Sequence, residues 1–450
     1  MSRLFPLPLC VLAALSGLAQ QPSPIKVPVR GGSYTDPLSR NRVWRVTDAA
    51  VCPGGAHHAY SFWPVWNQDG SHLLVECVGW KGGRENSTAL LVRDRDLKIL
   101  GDALEGAPGG IYRGRLFWMW KDAQTFLADH GLELWRWDPF QKKGRMVQRF
   151  TGMKVGRAAV RHVRLAYVSF DDRYALVELQ GQHPSRKRAS EWDVLGLATL
   201  DLHTERIAGV LDVSGFVYFD EAVFTRDNHV WVVADVGRQH TESLRYALDF
   251  SKHIRVVEAG HHAHGMLPDG TPVAVKEAGN RDCPGGSVSG NPRDPEYPAQ
   301  GWKPTAVLVD ETVDTTGGNR GTPLPNELLK LGCAIPGQHH LAHFSWNHPR
   351  GDLFFLSSDS YGGFETDRLA HGIFRVRLLF DAAGRVRGDE FDLLAQHRSD
   401  KKAGYWAQPR ASCNQQATRC LFASTMSAGT DNPRRQAHLF IVDVPAVPGP

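Results

Sequence analysis

Twenty histidines stand in this 450-residue chain, and nine of them crowd into four short windows. His57 and His58 precede Tyr60, and His162 precedes Arg164. His261, His262 and His264 form a third group, and His339, His340 and His343 a fourth. Comparable windows elsewhere hold Arg113 and Arg115, Asp220 and Glu221, and Trp406, Gln408 and Arg410. Neutral imidazole accepts protons near physiological pH and ligates divalent metals such as Mn²⁺, Zn²⁺ or Ni²⁺. In an extended segment His262 and His264 share one face, because side chains repeat every second residue. Arg115, Arg164 and Arg410 can grip a carboxylate with paired N–H donors. Tyr60, Trp63, Trp66 and Trp406 offer flat faces to sugar rings. The structural alternative is that the histidines hydrogen-bond sheet to sheet and the aromatics pack between sheets.

These windows recur because the chain repeats. A short apolar strand, a polar turn carrying Asp, Asn or Gly, and a strongly apolar strand appear seven times. The copies run over Phe62–Cys77, Leu116–Asp129, Leu165–Leu179, Glu221–Asp235, His264–Glu277, His343–Asp359 and Gln408–Thr425. Most are followed by a third alternating strand, as in LELWRWD or HLFIVDV. A unit averages about 60 residues, above the 40–50 usual for propeller repeats, with the surplus in loops such as 278–304. Small antiparallel sheets of this kind cannot bury both faces alone, so they must stack radially. The fold expected is all-β, a seven-bladed β-propeller. Residues Val43–Val51 read as an orphan outer strand that closes the ring against the last unit. In such a disc these windows open the innermost strands, all at one mouth of the central channel.

Composition agrees with many short strands: 45 glycines and 13 tryptophans accompany only 6 methionines. Hydrophobic residues at 42% and charged residues at 22% permit a packed core and exclude a disordered chain. A formal charge of +4 lacks the basic excess a nucleic-acid binder uses, so no nucleic-acid partner is expected. Arg3 followed by the apolar run Leu7–Leu15 reads as a signal peptide over residues 1–19, leaving 20–450 as one propeller domain. The chain is therefore expected in the periplasm or outside the cell, without a membrane anchor, as a monomer. Six cysteines then remain. In an oxidising compartment they favour disulfides, and no C-x-x-C pair supports a zinc site. Cys413 and Cys420 flank a hairpin turn, and Cys52–Cys77 with Cys283–Cys333 follow by elimination among 15 possible pairings. G-x-S-x-G, H-E-x-x-H and P-loop motifs are absent. Asn86-Ser87-Thr88 is a glycosylation sequon in a eukaryotic secretory host only.

The later units resemble the oligogalacturonate lyases, seven-bladed propellers that cleave galacturonide oligomers by β-elimination. Gly260-His261 through Asp269-Gly270, His343-Phe344 and Gln408 carry the resemblance, which is confined to blades five to seven. It implies a divalent metal, Mn²⁺ before others, on His264, His343 and Gln408. It also implies His262 or His264 as the base. His58, Arg115, Arg164, His340, Trp406 and Arg410 would then bind an acidic oligosaccharide. The chain departs from the pattern where Pro409 and Arg410 replace two expected histidines. Two functions follow: an exported lyase on uronate oligosaccharides, or a non-catalytic propeller that binds a glycan or protein.

Overall fold

The computed structural model describes residues 25–80, 87–108, 115–183, 190–237, 241–258, 260–277, 306–316, 324–332, 342–358, 371–399, 407–426 and 436–446. Within them the strands form seven blades, six of four strands and one of five, with one extra two-stranded hairpin between blades two and three. The innermost strands are Ala56–His57, Leu116–Trp118, His162–Val168, Tyr218–Phe224, His262–Met266, Ala342–Ser345 and Ser412–Cys413. This is a seven-bladed β-propeller.

The second strand of every blade but the first is sandwiched between neighbouring blades and is accordingly apolar on both faces, while His72–Val78 in blade one alternates. Tyr174–Gln180 is buried at every residue, whereas the outermost strand Arg206–Asp212 has no buried residue at all. The 3–4 hairpins, at the end of the disc away from the windows, are held by aspartates. Asp138, Asp201, Asp249, Asp310 and Asp381 each accept a hydrogen bond from the backbone N–H two residues on. That local bond favours a turn over continued strand, which is why the repeat is punctuated by Asp.

Ring closure uses the N-terminal segment, but over a shorter stretch than Val43–Val51. Strand Arg42–Arg45 pairs antiparallel with His438–Asp443, Val43 opposite Val442. The pairing then ends because Asp48 captures the N–H groups of Val51 and Cys52 in a turn. A fifth strand, Ser33–Thr35, adds to the outside of Arg42–Arg45 and was not apparent in the repeat.

Two disulfides bridge Cys52 to Cys77 and Cys413 to Cys420. The second pair sits directly cross-strand at a Cα separation of 4.0 Å, below the usual span of roughly 4.4–6.8 Å. The backbone N–H of Cys413 goes to Ser345 Oγ and not to its partner strand, marking the narrow, non-hydrogen-bonded kind of opposed pair. Cys283 and Cys333 lie outside the described residues.

The deep half of the channel is filled by cross-ring contacts. Tyr167 donates its hydroxyl to the Phe62 carbonyl at 2.9 Å, and Asn347 donates to the Trp63 carbonyl at 3.0 Å. Arg226 lies over the Phe170 ring and donates to the carbonyls of His264, Trp346 and His348. One side chain of blade four thereby pins blades five and six.

Candidate functional site

Strand direction puts the start of every innermost strand at the same mouth, and the side chains there meet around Tyr60. The His343 ring lies 5.3 Å from the Tyr60 ring, His261 lies 6.0 Å away, and the Arg410 guanidinium stands 5.2 Å over it. His261 and His343 stack on each other at 4.3 Å. Blades one, five, six and seven thus contribute to one corner.

The charges differ from residue to residue. His343 is fully buried, with neither ring nitrogen hydrogen-bonded. Burial, then the charges of His261, Arg410 and His58, hold it far below the ordinary imidazole range. His58 is pushed down to about 3, by burial foremost and by the Arg410 charge. His261 goes the other way. Burial lowers it, but the Glu277 carboxylate at 2.9 Å and the charge of Glu221 outweigh that and raise it. Arg410, itself buried, gives Nε and Nη2 to Gln408 Oε1 at 3.2 and 2.9 Å. Its backbone is held at a φ of 43°, a left-handed conformation uncommon outside glycine.

A second corner faces blades two to four. Glu178 is buried and accepts from Arg164 Nε at 2.7 Å, with Arg115 Nη1 at 3.5 Å. Arg115 also lies 4.6 Å over the Trp63 ring and keeps a third of its side chain exposed. Glu221 lines the channel opposite these cations. Enclosure and the neighbouring Asp220 charge push it up to about 7, against the pull of His261 and Arg115. His262 joins the two corners: its Nδ1 is 3.1 Å from the Gly260 carbonyl and 3.6 Å from Glu221 Oε1, and its ring stacks on Phe62. A carbonyl can only accept, so Nδ1 carries the proton and Nε2 holds the lone pair. That Nε2 has no partner.

His264 does not belong to either corner. It turns into the seam between blades four and five, where Nδ1 meets Glu311 Oε1 at 2.7 Å and the ring meets Trp231 edge-on. Gln408 Oε1 is occupied by Arg410. Among the described residues no three histidine, cysteine or acidic side chains converge as a metal centre requires. The set His264, His343 and Gln408 therefore does not fit a divalent ion. His340 and Trp406 lie outside the described residues, as do His339 and Arg113.

Of the flat faces expected for sugars, Trp66 is buried and Trp63 lies beneath Arg115. Among the described residues Tyr218 and Trp192 are exposed aromatics on this mouth, Trp192 being 49% accessible and stacked at 3.9 Å on His162. Trp192 stands in a 2–3 loop, outside the windows that open the inner strands. Glu178 and Glu311 were equally hidden in apolar surroundings, and only their partners within the folded blade, Arg164 and His264, reveal them.

No family model matches the chain, and no curated protein matches it. Among solved structures, oligogalacturonate lyase from Vibrio parahaemolyticus aligns with a TM-score of 0.54 at 13% identity, over 92% of this chain and 96% of that one. Hydrazine synthase from Kuenenia stuttgartiensis aligns at 0.39 and 10% identity, over 85% and 97% of the two chains. A chain of a mitotic checkpoint complex aligns at 0.44 and 9% identity, over 98% and 99%. The first alignment runs around the ring and beyond its last three blades. At 13% identity that likeness establishes the architecture alone, a seven-bladed propeller like that of an oligogalacturonate lyase.

Proposed function

We propose that this is an exported propeller whose channel mouth binds acidic oligosaccharides and cleaves them by β-elimination. The observation that carries the reading is His262, whose Nε2 has no partner and whose Nδ1 lies 3.6 Å from Glu221 Oε1. A uronate held by Arg115 and Arg410 presents the acidic C–H beside its carboxylate. His262 Nε2 takes that proton. The electron pair forms the new C=C bond, the bond from the β-carbon to the glycosidic oxygen breaks, and the leaving oxygen takes a proton from solvent. Glu221, 3.6 Å from the other ring nitrogen, stabilises the imidazolium formed. The cations stabilise the charge that builds on the substrate carboxylate. Glu178 keeps Arg115 and Arg164 aimed at the channel.

The test is direct: purified protein is incubated with galacturonate oligomers and followed for the absorbance of a new conjugated double bond. Activity lost on His262→Ala supports the lyase, and an inactive wild type refutes it. A second reading, a non-catalytic propeller binding a glycan or protein, is favoured by the occupation of Gln408 and the turning away of His264. Oligomer binding without any new double bond supports that reading.

A further inference from the structure

The corner around Tyr60 has the donors that would attract a divalent ion: an amide oxygen on Gln408 and two buried neutral imidazoles, His58 and His343. It also has an occupant. Arg410 directs two N–H groups at the Gln408 oxygen, at 2.9 and 3.2 Å, and its guanidinium lies over Tyr60, against which His343 is packed. The Arg410 charge reaches His58, His261 and His343, for each of which it is one of the acting charges. A dication and a guanidinium a few ångströms apart repel strongly even at an effective dielectric of about 20. A guanidinium and a divalent ion cannot share this corner. The left-handed backbone at Arg410 is a conformational cost at a residue with a long side chain, and the surrounding contacts hold it there.

We infer that Arg410 is the resident cation of this site: its guanidinium stands before the Gln408 oxygen where a metal would have to sit, and binds anionic ligands in the metal's place. A guanidinium differs from a metal in what it can take. It is always charged, offers a planar fork matched to a carboxylate, and cannot lower the pKa of water or be stripped by a chelator. The ligand class that suits it is a carboxylate, presented edge-on above Tyr60. The ion preference of the corner stands apart from the lyase reading, since it concerns what the site accepts and not what it does.

Metal uptake tests this without reference to turnover. Wild type, Arg410→Ala and Arg410→Lys are each titrated with Mn²⁺ and Zn²⁺ by calorimetry, with thermal melts to establish folding. The wild type is expected to take up no stoichiometric metal. Arg410→Ala, freed of the like charge, is expected to gain affinity for Zn²⁺ by at least about tenfold, while Arg410→Lys, which keeps the charge, gains none. In parallel, trigalacturonate affinity of the wild type is expected to be unchanged by EDTA. A wild type that binds one equivalent of metal overturns the inference, and so does an Arg410→Ala protein that folds and gains none. A wild type that binds neither metal nor trigalacturonate, with metal gained by Arg410→Ala, refutes the uronate reading and leaves the resident cation standing.

Discussion

His264 Nδ1 and Glu311 Oε1 face each other at 2.7 Å, both side chains almost wholly buried. Burial pushes Glu311 well above the usual carboxylate range and His264 down to about 3. Burial thus favours the neutral form on both sides, a carboxylic O–H donating to an imidazole nitrogen, with Arg245 Nε 3.7 Å from the other carboxyl oxygen.

Substitution at this pair separates hydrogen bonding from charge. Glu311→Gln keeps a donor and should cost within about 1 kcal/mol. Glu311→Ala strands the His264 nitrogen and leaves a cavity, and should cost about 3 kcal/mol. Urea unfolding of both variants checks this; equal losses would show the pair to be ionic.

A second expectation concerns acid stability. His397 Nε2 lies 2.9 Å from the Ser358 carbonyl and its Nδ1 accepts from the Ser399 N–H at 3.1 Å, so only the neutral ring satisfies both. Burial foremost, then the His371 charge, puts it at about 3 against an ordinary 6.5. The unfolded chain therefore binds a proton that the native protein refuses between those values. Its stabilisation is complete above pH 6.5 and is lost as pH falls, at about 1.4 kcal/mol per pH unit. In His397→Gln the slope of unfolding free energy against pH between 6 and 4 should be shallower by that amount, as read by denaturant titration at each pH.

Ligand affinity should also follow pH. Glu221, at about 7, is neutral below that value and an anion above it. Repulsion of a uronate therefore sets in as pH rises through 7, and loss of the proton on His261 acts in the same direction. Calorimetry is expected to show trigalacturonate binding weakening several-fold from pH 6 to pH 8. Glu221→Gln should flatten most of that dependence; an unchanged profile would remove Glu221 from the site.

The two disulfides should differ in what they contribute. Cys52–Cys77 joins residues 25 apart in sequence and Cys413–Cys420 residues 7 apart. Loop-closure entropy then assigns them about 3.5 and about 2.5 kcal/mol. Chemical unfolding of Cys52→Ser and Cys413→Ser should rank in that order.

Much of this architecture was legible because its signals are local. Asp69, Asp122, Asp171 and Asp269 end strands through bonds from the N–H two residues on, so the repeat could be counted from the residues alone. The gathering of His261, His343, Gln408 and Arg410 also follows from strand direction, since all open inner strands. What escaped depends on distant partners. His262 and His264 share a strand face, yet Glu311 comes from another hairpin and draws only His264 into the seam. Trp63 and Trp66 look like open platforms until Arg115 and the core cover them. The closing strand was read too long because Asp48 ends it through a turn that apolar patterning does not mark.

Trp44 and Asp443, joined across the closing pair, are 399 residues apart in sequence. A contact of such range forms late, because nearly the whole chain must be in place before it repays its loop entropy. As the protein is made, the two outer strands of blade seven come first and wait for the inner ones, which end with His438–Asp443. The chain then has no completed disc until its last segment emerges.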